Sequence, residues 1–179
     1  ALMLSVPISL TAASESGNSI TADEALNKLL EGNSRFASNS SIHPDQSMER
    51  RAELLAGQHP FAVIVGCSDS RIAPEVLFDQ GLGDIFVIRT AGQVIDNASL
   101  ASIEYAVEHL GVPLVLVLGH DSCGAVTAVV QGGEVPGHLG SLVEFIQPAV
   151  EEAREAGNES LLLDSSIDNN VWNIVEQLE

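Results

Sequence analysis

Two short stretches concentrate the reactive side chains of this 179-residue chain. The first, Cys67-Ser68-Asp69-Ser70-Arg71, sets a thiol, a carboxylate and a guanidinium at alternate positions. The second, His120-Asp121-Ser122-Cys123, sets an imidazole and a thiol three positions apart. Cys67 and Cys123 are the two cysteines of the chain. Two thiolates and an imidazole form a Cys₂His set, which suits a soft tetrahedral cation and zinc in particular. Structural zinc sites are closed by four protein ligands. Three ligands with an open fourth position is the catalytic pattern, in which the metal is a Lewis acid that lowers the pKa of bound water. Asp69 is placed to orient that water, or else to ligate the metal itself. Arg71 decides between the two, because a bidentate grip would hold the carboxylate off the metal.

Taken singly, each motif has a plainer meaning. A lone cysteine at a strand end is usually a small core residue, and Asp-x-Arg is usually a surface ion pair. Their coincidence at two strand ends, in a chain with no other cysteine, favours the metal site. A Cys67–Cys123 disulfide would need none of the flanking polar residues. A thiol redox protein would be expected to carry Cys-x-x-Cys, which is absent. A metal-stabilised interaction module would have no use for an open ligand position or for Arg71.

The elements that must position these residues are legible around them. Phe61 to Val65 is a continuous apolar run rich in β-branched residues, as expected of a strand covered on both faces. Asp84 to Arg89 and Leu114 to Leu118 predict two further strands. Thr21-Ala22-Asp23-Glu24 is a capping box. It opens a helix with leucines at positions 26, 29 and 30, expected to close at Gly32. Residues 38–47 read as a polar loop, followed by a helix from about Met48 to Ala56 that stops at Gly57. Helices are also predicted over Ser99–Leu110, Cys123–Val130, Leu139–Ala156 with Pro148 inside as a kink, and Asp164–Glu179. Alternating strands and helices give an α/β fold of parallel βαβ units. Ligands of such sheets bind outside the carboxyl ends of the strands. That places Cys67 and His120 at one edge.

Residues 20–179 are expected to form one domain. Residues 1–19 are set apart, and the apolar then small composition of residues 1–14 reads in two ways. One is the later part of a secretory signal, implying a periplasmic or secreted protein. The other is an arm that packs on a partner subunit. The run is too short for a membrane span. The formal net charge is −18, and Lys28 is the sole lysine. Such acidity disfavours nucleic acid and anionic lipid as partners.

Four segments together resemble a β-class carbonic anhydrase. They are Gly66-Cys67-Ser68-Asp69-Ser70-Arg71, Phe86-Val87-Ile88-Arg89-Thr90-Ala91-Gly92, Ser102-Ile103-Glu104-Tyr105-Ala106 and Gly119-His120-Asp121-Ser122-Cys123-Gly124. The resemblance implies a central, mainly parallel sheet flanked by helices. It implies Zn²⁺ on Cys67, His120 and Cys123, with Asp69 and Arg71 as a catalytic dyad. The implied reaction is reversible hydration of CO₂ to bicarbonate and a proton, with carbonyl sulfide hydrolysis as a close sibling. It implies a homodimer or higher oligomer whose cleft lies between subunits and is lined by residues matching Gln58, Phe86 and Tyr105. Two departures stand out. Ile64 occupies the place of the Trp that bicarbonate-regulated members carry, although Arg89 matches an Arg of that regulatory site, so the constitutively open form is expected. Members usually end on a further sheet strand, whereas residues 164–179 have a helical pattern.

Overall fold

The structure, a computed structural model, describes residues 20–133 and 136–179. The readings of residues 1–19 lie outside the described residues. Three parallel strands form the centre: β1 (Ala62–Cys67), β2 (Ile85–Thr90) and β3 (Val115–Leu118), in the order β2-β1-β3. The central strand is buried at all six positions, which explains its unbroken apolar run. The chain leaves β1 for a neighbour on one side, then crosses back to the other. This reversal opens a crevice between the carboxyl ends of β1 and β3.

Helices α1 (Ala22–Ala37), α2 (Met48–Glu53) and α3 (Pro74–Leu77) occupy the first half of the chain. α4 (Asn97–Glu104), α5 (Gly124–Gln131), α6 (Gly140–Glu155) and α7 (Leu162–Leu178) follow. Alternate residues of β1 feed opposite faces. Ala62 and Ile64 pack with Ala25 and Leu29 of α1, while Val63 and Val65 pack with Ile103 and with Ile174 of α7. Fully burying such a side chain stabilises by roughly 1.5–3 kcal/mol. A third cluster joins Cys67 and Cys123 to Val126, Ile146, Val150 and Ile167, so the candidate ligands sit against core.

The Thr21 capping box forms as expected, with the Glu24 amide donating to the Thr21 hydroxyl and Glu24 accepting from the Thr21 amide. Gly32 does not end α1, which continues to Ala37. Its role is close approach: a Cβ there would stand 1.7 Å from the Phe78 carbonyl oxygen. The predicted Ser99 helix starts two residues earlier, capped by Asp96, and its last part widens into a π-type turn over Tyr105–His109. Pro148 lies inside α6 without ending it. Among the described residues, no helix is long and apolar enough to cross a membrane.

Candidate metal centre

Cys67 is the last residue of β1, and Cys123 immediately precedes α5. His120 lies between β3 and α5, in the loop that Cys123 ends. The crevice brings all three together: one ligand atom from each lies within 4.8 Å of the others, and the two sulfurs are 4.0 Å apart. Tetrahedral zinc with Zn–S bonds of about 2.3 Å would hold two sulfurs about 3.8 Å apart. The sulfur spacing therefore fits such an ion with little movement. His120 supplies an independent sign. Its Nδ1 is 2.9 Å from the Asp121 carbonyl oxygen, so the ring donates there and leaves its lone pair on Nε2. That Nε2 is buried and has no hydrogen-bond partner among the described residues. A buried nitrogen lone pair beside two sulfurs is what a cation would satisfy.

The sulfurs sit among amide donors. The Gly92 N–H donates to Cys67 Sγ at 3.2 Å. The Cys123 thiol beside it, aided by the Gly92 amide, holds the Cys67 thiol far below its ordinary range, at about 4. Its ionised neighbour and burial in turn push the Cys123 thiol upward, while the Val126 and Ala125 amides at the start of α5 oppose that rise. Two thiols this close lose their first proton readily and hold the remaining one between them.

Asp69 and Arg71 form the bidentate pair. Arg71 Nε donates to Asp69 Oδ1 at 2.9 Å and Arg71 Nη2 to Oδ2 at 2.7 Å, and the Arg71 amide adds a third bond at 3.0 Å. This guanidinium keeps the Asp69 carboxyl well below the usual carboxylate range. Asp69 Oδ2 lies 4.0 Å from His120 Nε2, beside the ligand cluster rather than within it. Arg71 also donates to the Ser122 carbonyl at 3.3 Å, which ties the first loop to the second. Arg89 completes the frame by donating to the carbonyls of Cys67 and Asp69 at 2.8 and 2.6 Å.

The other expected site residues stand elsewhere in the chain. Gln58 is exposed and precedes β1, whose far end carries Cys67. Phe86 is paired with Val63, four residues back from the Cys67–Thr90 pair, or about 13 Å along the strand. Its ring contacts Tyr105 at 6.4 Å between centroids, and Tyr105 is 46% exposed. Tyr105 is thus exposed and Phe86 partly buried beneath it, both away from their own chain's sulfur cluster.

Sequence reasoning missed Gly92 and Asn170. Gly92 has φ +67°, and a Cβ there would meet Ile146 Cδ1 at 2.8 Å. Asn170 of α7 donates to the Gly92 carbonyl at 2.9 Å. The Thr-Ala-Gly sequence after a strand signals a turn. Nothing in the pattern of the last helix marks Asn170.

A family model described as carbonic anhydrase matches residues 62–179. A carbonic anhydrase of Mycolicibacterium smegmatis is 57% identical over 133 residues, covering 72% of this chain and 65% of that protein. Carbonic anhydrase 2 of Mycobacterium tuberculosis is 56% identical over 133 residues, covering 72% and 64%. The chain thus spans just under two thirds of these relatives' lengths. Among solved structures, the β-carbonic anhydrase CafA of Aspergillus fumigatus superposes with a TM-score of 0.61 at 32% identity, covering 86% of this chain and 73% of that one. The β-carbonic anhydrase CcaA superposes with a TM-score of 0.65 at 25% identity and the same coverages, 86% and 73%.

Proposed function

Because this chain belongs to the β-class of the carbonic anhydrase family, we propose that its Cys67–His120–Cys123 crevice holds zinc and carries the reversible hydration of CO₂ to bicarbonate and a proton. The observation that carries this reading is the buried His120 Nε2, without a hydrogen-bond partner among the described residues, close to two sulfurs and beside a carboxylate that Arg71 holds in place. Zinc bound there would supply Lewis-acid activation of a water molecule.

The chain's own residues do the rest. Asp69, ionised throughout the ordinary pH range, accepts the hydrogen of the attacking water and aims its lone pair at the CO₂ carbon. Arg71 occupies both carboxylate oxygens, so Asp69 orients the nucleophile rather than competing for the cation. Arg89 fixes the backbone on which Cys67 and Asp69 stand. The proton released passes to buffer.

Gln58, Phe86 and Tyr105 complete the cleft from a second copy of the chain, in a homodimer or larger assembly. The exposure of Gln58 and Tyr105, and the distance of Phe86 from its own chain's sulfurs, support that arrangement. An apolar wall suits an uncharged, nonpolar substrate, and the Gln58 amide suits the polar product. The test is metal analysis followed by stopped-flow CO₂ hydration. One zinc per chain with rapid hydration is expected, and a fully zinc-loaded but inert protein would overturn the reading.

A further inference from the structure

The Cys67 sulfur is held by a peptide that is itself held from the far end of the chain. Gly92 adopts a left-handed φ of +67°, a conformation that costs glycine little and also leaves it the freest of residues to depart from. Its N–H donates to Cys67 Sγ at 3.2 Å, and its C=O accepts from Asn170 Nδ2 at 2.9 Å. Both polar groups of one residue are thus claimed, one by a candidate ligand and one by a side chain 78 positions away. Asn170 is 2% exposed on α7, between Ile167 and Ile174, which both pack into the core. An amide at such a position carries a desolvation cost that leucine would avoid, unless its hydrogen bond serves a purpose.

We propose that Asn170 is a positioning residue for the Cys67 ligand, acting through Gly92 and touching neither metal nor substrate. This rests on the metal-binding reading of the cluster. By pinning the Gly92 carbonyl, Asn170 fixes the Gly92 dihedral angles and keeps the N–H aimed at the sulfur. An N–H···S bond fixes the direction in which the sulfur presents its lone pairs to the cluster. Groups that hydrogen-bond a ligand directly, as the Gly92 N–H does, typically change metal affinity by roughly 10–100-fold, and Asn170 stands one step further out. Asn170→Leu keeps the shape of the side chain and removes the donor. Loss of the bond should weaken zinc binding by up to about 10-fold, the lower end of that range.

Zinc affinity and cadmium-113 NMR of the full chain test this. In the wild-type protein loaded with ¹¹³Cd, the Gly92 amide proton should show scalar coupling to the metal through the N–H···S bond. In Asn170→Leu that coupling should vanish, the cadmium resonance should move, and zinc affinity should fall. A side chain that merely packs would alter thermal stability and leave the coupling intact. Retained coupling and affinity in Asn170→Leu would overturn the proposal. If that variant does not fold, the wild-type spectrum decides, since cadmium uptake without Gly92 coupling overturns the positioning role alone. A wild-type protein that takes up no cadmium overturns the metal reading and the proposal with it.

Discussion

Arg89 donates from Nη2 to the backbone carbonyl of Asp69 at 2.6 Å, while Arg71 grips the side chain of the same residue. One carboxylate is therefore held by its main chain from β2 and by its side chain from its own loop. Arg89 is paired across the sheet with Gly66, which presents no side chain between the guanidinium and the two carbonyls it reaches. Arg89→Met should leave the carbonyls of Cys67 and Asp69 without donors. About 1–3 kcal/mol of stability should be lost, most of it at the buried residue Cys67, together with at least a several-fold drop in kcat. Arg89→Lys should not restore kcat, because a single ammonium cannot reproduce the fork. Full kcat in the lysine variant, measured by stopped flow, would refute the geometric role.

Cys67 and Asp69 stand two residues apart and should fail in different ways. Cys67→Ser removes a ligand, so zinc content should fall and CO₂ hydration with it. Asp69→Ala removes the acceptor and spares the three candidate ligands, so zinc content should persist while hydration drops by roughly 10²–10⁴-fold. Undiminished hydration by the Asp69 variant would sink its assigned role.

Gly32 lies within α1 where the helix meets the Phe78 carbonyl. Gly32→Ala improves intrinsic helix propensity by about 1 kcal/mol, yet a Cβ at 1.7 Å from a backbone oxygen forces the elements apart. Overpacking against backbone costs about 1–3 kcal/mol or more. The net effect should be a lower Tm in calorimetry, despite the better helix former. An unchanged or raised Tm would contradict the close approach.

Asp79 joins α1 to the loop that follows it. Its carboxylate accepts from Arg35 Nε at 2.6 Å and from the amides of Ile42 and His43. Arg35, with those amides, lowers its pKa from 3.8 to about 2. A depressed folded-state value means that the contribution is complete above the unfolded value and is lost as pH falls through the folded one. Asp79 should therefore add stability above about pH 4 that disappears towards about pH 2. Asp79→Asn should flatten that part of the acid unfolding curve relative to wild type. Parallel curves would show that the ion pair contributes nothing.

Local chemistry was readable along the chain because it depends on neighbours in sequence. The Thr21 cap, the buried run of β1 and the Asp69–Arg71 fork each follow from residues a few positions apart. The parallel fold and the meeting of Cys67 with His120 were legible too, since strand ends of such a sheet share an edge. What tertiary structure alone decided are the contacts between surfaces brought together by packing. Gly32 looked like a helix stop and is a point of contact with Phe78, a distinction that needs the position of the opposing backbone. Arg89 and Asn170 reach carbonyls far off in sequence. No periodicity encodes such bonds, because they depend on the orientation that strands and helices take only once the core has closed around them.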